Sequence, residues 1–269
     1  MILGILRELI DLGVGVFGLA VFAMLAVSGE VGFRIGRGRA RAATSPDRES
    51  AGVSTLTTGM IGLLAFTLAL TIGLAQDRFE ARRHATLDEA NTIGTAWLRT
   101  QLAGASGKPI AALIEDYARG RLDYLVAVTP NTADEALART NTLQTAIWQR
   151  SLTVLAGMPP TLASALIASL NDMFDASLVQ RYAMEGHAPS ETMLMLLGGA
   201  MLVVGALGYQ MGLSGRRQLI LSLLLLLMVS SAMALIIDFN RPRAGFTQIN
   251  PAPLIWTIQG FAPHSATVR

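Results

Sequence analysis

The chain has 269 residues, 52% of them hydrophobic and 15% charged, with a formal net charge of +2. A soluble domain carries roughly a quarter of its residues as charges, so this composition, with a mean hydropathy of +0.47, excludes an ordinary soluble protein. The chain has no cysteine, which excludes disulfides and thiolate metal sites, and so small a net charge points to no class of partner.

Four apolar runs account for the composition: Leu9–Val27, Thr57–Ala75, Thr192–Leu213 and Leu219–Phe239. Each reaches the roughly 18–20 residues that a spanning helix needs, and none shows the alternation of a membrane barrel. Arg7 precedes the first run, and Ala26-Val27-Ser28 resembles a signal-cleavage site. The run exceeds the about 7–15 apolar residues of a signal core, so we expect it to remain as a first span, residues 1–33. Gly13, Gly15 and Gly18 give it small positions for a close neighbour. Residues 34–56, with five Arg, two acids and Pro46, read as a solvated linker.

The second span organises the chain. Its apolar run, Thr57–Ala75, passes without a Gly-Pro break into the amphipathic segment Gln76–Leu102. One continuous helix over 57–102 is about 70 Å long, about twice the hydrocarbon thickness of a bilayer. It reads as a membrane helix that continues as a stalk, with Phe79, Leu87, Ala90, Ile93, Trp97 and Leu98 near one face.

Residues 103–190 complete a soluble helical module. Gly104–Pro109 breaks the stalk, and Ile110, Leu113, Ile114, Tyr117, Leu122 and Leu125 form the next apolar stripe. Thr129-Pro130-Asn131 ends that helix. Thr132 with Glu135 reads as a capping box for a third, which Gly157–Pro160 stops. A fourth helix runs from about Thr161 to Glu185. Spans three and four, residues 191–240, form a tight hairpin through Ser214-Gly215-Arg216-Arg217. The proline-containing tail, 241–269, reads as an extended arm or a loose tail rather than a helix. The expected fold is therefore an all-α integral membrane protein with four transmembrane helices and a soluble helical module between the second and third. Orientation is balanced: seven Arg flank the spans on each side. The positive-inside rule counts Lys and Arg, so only Arg density favours loops one and three as cytoplasmic.

Three sets of residues invite a functional reading. Glu30 and Arg34, four apart at the end of the first span, make either an intrahelical ion pair or part of an ion path. Thr67 and Thr71 share a face of the second span with Leu63 and Leu74. In a ring of copies these four residues line a pore, the hydroxyls hydrating an ion and the aliphatic rings gating it. The alternative is that this face packs against other helices while the hydroxyls bond back to carbonyls. Beyond the membrane exit, Arg78, Arg82 and Arg83 concentrate anions at a pore mouth, bind lipid headgroups, or pair with Asp77 and Glu80. No enzyme constellation, metal-ligand pair or cofactor motif stands out. Gly104-Ala105-Ser106-Gly107-Lys108 lacks the first glycine of a phosphate loop. No basic patch interleaved with aromatics suggests nucleic acid.

Several stretches together resemble the bestrophin-like domain family of bacterial membrane proteins. They are Gly62-Leu63-Leu64-Ala65-Phe66-Thr67-Leu68-Ala69-Leu70-Thr71, Arg78-Phe79-Glu80-Ala81-Arg82-Arg83 and Asp88 to Arg99 (DEANTIGTAWLR). Leu170-Asn171-Asp172-Met173-Phe174-Asp175 follows, then Asp238-Phe239-Asn240-Arg241-Pro242 with Gly245 and Asn250-Pro251-Ala252-Pro253-Leu254. The resemblance implies a homo-oligomeric channel of a bacterial inner membrane, for anions rather than cations, with the second span lining the pore. It also implies a cytoplasmic helical part, against the Arg density. This second span carries one phenylalanine, Phe66, where the bestrophin neck repeats bulky rings, and the tail lacks the bestrophin acidic calcium cluster. The rival expectation is a non-conducting scaffold or envelope sensor whose module binds a partner. Membrane lipids, further copies of the chain and inorganic ions are the expected partners.

Overall fold

The computed structural model describes residues 13–42, 46–186, 190–243 and 245–261. Arg7 and the start of the first span, residues 43–45 of the first linker and the last eight residues lie outside them. All regular structure among the described residues is helical. In order the elements are α1 (Val14–Ala42), α2 (Pro46–Thr100), a 3-10 helix (Gln101–Gly107), α3 (Lys108–Val126), α4 (Pro130–Leu155), α5 (Pro160–Glu185), α6 (Ser190–Ser214), α7 (Leu219–Phe239) and α8 (Ala252–Gly260).

The protein is a helical membrane protein, and among the described residues five helical stretches are long and apolar enough to cross a membrane. Four coincide with the expected apolar runs, the first of them from Val14 onward. The fifth is Pro160–Glu185, read from the sequence as part of the module. Its Leu166, Leu170 and Met173 are buried in a core shared with Glu89-bearing α2 and with α3.

The described residues divide into two compact units. The first comprises 13–77, 190–241 and 245–247. In it α1 lies against α6 and α7, around Phe17, Val21, Leu25, Ala200, Met233 and Ile236. Lipid is as apolar as these side chains, so close fit rather than water exclusion holds such helices together. The fit between α1 and α6 is at backbone level. A Cβ on Gly32 or Gly36 would collide with the carbonyls of Gly205 or Tyr209. One on Gly208 or Gly212 would collide with those of Gly29 or Phe33. The Ser28 hydroxyl donates to Met201 O at 2.7 Å across the same seam. The glycines expected at the contact were Gly13, Gly15 and Gly18. Of these only Gly18 meets a neighbouring side chain, Ala234, and the seam lies further along the helix.

The linker reading of residues 34–56 is corrected: α1 continues to Ala42 and α2 begins at Pro46. Arg and Ala are good helix formers, and proline at a first helical position costs no hydrogen bond.

The second unit comprises 78–186, 242–243 and 248–261. The later part of α2 joins α3, α4, α5 and α8 around Ile93, Ile110, Ile114, Tyr117, Ile147 and Leu170. Gly104, at φ +59°, allows the sharp break before α3. The capping box belongs to Thr129 and Thr132 rather than to Thr132 and Glu135: each hydroxyl bonds the other residue's backbone N–H at 3.3 Å. Pro130 at the first helical position fixes that start. Leu87 and Leu98, expected near the apolar face of the stalk, are exposed. The tail reading is also corrected. Residues Ala252–Gly260 form α8, which Asn250 Oδ1 opens by accepting from Ala252 N at 2.9 Å. Pro251 and Pro253 stand at the start of that helix, where proline is favoured. Leu254 is fully buried, and Phe261 stacks on Trp97 with ring centres 5.1 Å apart.

Candidate functional site

The apolar part of α2 buries only one side. Thr57, Leu64, Leu68 and Ala75 are turned into the first unit. Leu63, Phe66, Leu70 and Leu74 project outwards, Leu63 and Phe66 each 67% exposed. Of the pore-lining candidates, Leu63, Thr67 and Leu74 are thus exposed and Thr71 is half-buried. The Thr67 hydroxyl donates to Leu63 O at 2.8 Å and that of Thr71 to Thr67 O at 2.7 Å. Each hydroxyl keeps its acceptor lone pairs. Among the described residues nothing covers this face.

The three arginines beyond the membrane exit have different surroundings. Arg83 chelates Glu80 on the surface, at 2.9 and 3.0 Å. Arg82 is buried, and donates through Nε to Ala183 O at 2.9 Å and through Nη2 to Gly186 O at 2.7 Å. It therefore satisfies carbonyls at the C-terminus of α5, where a cation also suits the helix dipole. Burial, with Arg78 nearby, lowers the Arg82 pKa from the ordinary arginine value. Arg78 and Arg83 remain at the surface end of the group.

The Glu30–Arg34 pair forms at 2.8 Å, and the structure adds a third member. Arg217, in the turn between α6 and α7, reaches both oxygens of Glu30 at 3.1 and 3.2 Å. Its guanidinium lies 4.0 Å over the Phe33 ring.

Sequence reasoning missed a polar cluster inside the second unit. Glu89 is fully buried and Arg121 is 3% exposed. Arg121 Nε donates to Glu89 Oε1, and its Nη2 donates to Gln180 Oε1 at 2.8 Å. Its guanidinium lies 4.8 Å from the centre of the Tyr124 ring. Gln144 joins the Tyr117 and Ser177 hydroxyls, both at 3.1 Å. Burial pushes the Glu89 carboxyl up, against the opposing pull of Arg121. The signal was present in the spacing. Glu89 stands four before Ile93, and Arg121 four after Tyr117 and four before Leu125, each on an apolar stripe. A charge on such a stripe must be paired.

The tail signature also has a structural meaning. Buried Asp238 accepts from Phe246 N at 2.7 Å and Thr247 N at 3.0 Å. Gly245 takes φ +144°, and a Cβ there would strike Asp238 Oδ1. The Asp…Gly pattern thus locks the turn that follows α7.

The sequence model of the bestrophin-like domain matches residues 20–254, a span that holds the second-span face, the arginines and the Asp238 turn. No curated protein and no solved structure matches the chain.

Proposed function

From the premise that this chain belongs to the bestrophin-like domain family, we propose that it is a homo-oligomeric ion channel of a bacterial inner membrane, conducting anions in preference to cations. The spans are α1, the first part of α2, α6 and α7, with the second unit outside the bilayer. The first part of α2 lines the path. Leu63 and Leu74 form its apolar rings, and Thr67 and Thr71 its polar ones. The observation that carries this reading is the uncovered face of α2. A helix that the described residues bury along one narrow stripe has its other side available to an axis shared with further copies. Threonine oxygens between aliphatic rings suit partial dehydration of a passing ion. Arg78 and Arg83 near the exit add positive potential that favours anions. Arg82, which holds the end of α5, has a positioning role.

The rival reading is a non-conducting scaffold or sensor. It draws support from Leu178, Val179 and Tyr182, exposed together on α5, which suit a docked partner.

The chain has no cysteine, so single cysteines are clean probes. In liposomes, Thr67→Cys and Leu63→Cys proteins should lose anion flux on treatment with a charged thiol reagent and should form disulfides between copies. A Leu202→Cys protein, with its cysteine on an exposed part of α6, should do neither. Equal indifference of all three would favour the scaffold.

A further inference from the structure

Near the end of α1, a cleft of about 730 Å³ opens beside the α6–α7 turn. Its walls include Glu30, Arg34, Arg37, Arg41 and Arg217, four cations against one carboxylate. Glu30 is engaged by both Arg34 and Arg217. The two contacts fix those guanidinium groups in place, and they use at most two of the five N–H donors of Arg217 and one of those of Arg34. The Phe33 ring beneath Arg217 adds a second restraint. Arg37 Nη1 donates to Gly215 O at 3.3 Å, which ties the other wall to the turn. Gly215 itself takes φ +69°, a conformation that suits glycine. The cleft is thus a set of largely pre-positioned guanidinium donors with an excess of positive charge.

A second cavity, about 180 Å³, adjoins the first and shares Glu30, Phe33 and Arg217 with it. The rest of its lining is mainly apolar and belongs to the spans, including Ala26, Val204, Leu207, Met211 and Leu223. A basic cleft that opens onto an apolar groove between helices fits an amphiphile with an oxyanion head. Guanidinium forks match phosphate oxygens, and the end of a span stands at headgroup level.

We propose that this double cavity is a binding site for an anionic phospholipid. The phosphate sits among Arg34, Arg37, Arg41 and Arg217, and the start of an acyl chain lies in the groove. A soluble phosphate shares the head chemistry but gains nothing from the groove, so the lipid is the favoured source.

The test uses the full-length protein in neutral detergent, with phosphatidylglycerol, phosphatidylcholine and inorganic phosphate as probes. Native mass spectrometry counts retained lipid, and melting temperature reports stabilisation. Phosphatidylglycerol should be retained at least tenfold more tightly than phosphatidylcholine and should raise the melting temperature, whereas millimolar inorganic phosphate should not. An Arg37→Gln/Arg41→Gln protein should lose this preference while keeping the lipid-free helicity and melting of the parent. Its Lys/Lys counterpart should keep part of the preference. A Leu207→Trp protein, with the groove filled, should lose lipid retention with all four arginines intact. Equal retention of the two lipids, or an unchanged preference in the Gln/Gln protein, would overturn the site. Stabilisation by inorganic phosphate equal to that by phosphatidylglycerol would overturn the lipid assignment.

Discussion

The two units solve opposite problems with the same secondary structure. In the first unit α1 and α6 meet at glycines whose positions leave no room for a Cβ, and charged contacts gather around Glu30 and Arg217. In the second, ordinary side chains fill the core, and a charged pair, Glu89 with Arg121, lies in the middle of it. Helices in lipid gain little from burying an apolar side chain, so contact distance decides their association. In the proposed topology the second unit lies in water, where burial is favourable and an ion pair is tolerated when every charge has its partner. The comparison teaches where each unit is fragile. The first should fail when a methyl is added, and the second when a charge is orphaned.

The largest effect should come from Gly32→Val or Gly208→Val. The added carbons strike backbone, which cannot rotate away. The loss should exceed the about 1–3 kcal/mol of ordinary overpacking, read as a collapse of the monodisperse peak in detergent. A Gly59→Val protein, altered where nothing lies within 4 Å, should behave like the parent. If all three variants are equally stable, the account of the first unit fails.

Next should come Arg121→Met, which leaves Glu89 buried without its partner, at a cost of about 3–5 kcal/mol. Chemical denaturation followed by tryptophan fluorescence is a suitable measure, since Trp97 lies in this unit. A Glu89→Leu/Arg121→Met protein should recover most of the loss. A double variant as weak as the single one would show that the pair acts through something other than its charges.

Asp238→Ala removes the acceptor for two backbone N–H groups and should cost about 1–3 kcal/mol. Faster amide exchange at Phe246 and Thr247 is the expected sign. Thr129→Ala, which removes the cap of α4, should cost about 1 kcal/mol and fray only its first turn. The same loss throughout the second unit would contradict so local a role.

These features differed in how far the chain reveals them. The long apolar helices are legible because a run of about 20 apolar residues has few other uses. The breaks before α3 and α5 are legible because glycine and proline punctuate them. The errors share a cause. Pro46, Pro130 and Pro253 were each read as part of a linker, a terminator or a tail, yet each stands at a helix start, where it is equally at home. Arg34 to Arg41 looked solvated and unstructured, but exposure does not prevent a helix. The Glu89–Arg121 pair was within reach, since both residues break an apolar stripe. The contact between Glu30 and Arg217 was not, because it joins residues 187 apart and no local pattern encodes it. The proposed pore face is legible only as composition: an exposed threonine in an apolar helix reads alike whether a second copy or lipid covers it.

The most direct test of the channel is flux from liposomes that hold the purified protein, under separate chloride and potassium gradients, beside a Thr67→Arg/Thr71→Arg protein. The account predicts chloride flux in excess of potassium flux, and a clear change in that flux in the double variant. Folded protein that passes neither ion, or chloride flux that the two arginines leave untouched, would contradict conduction along α2.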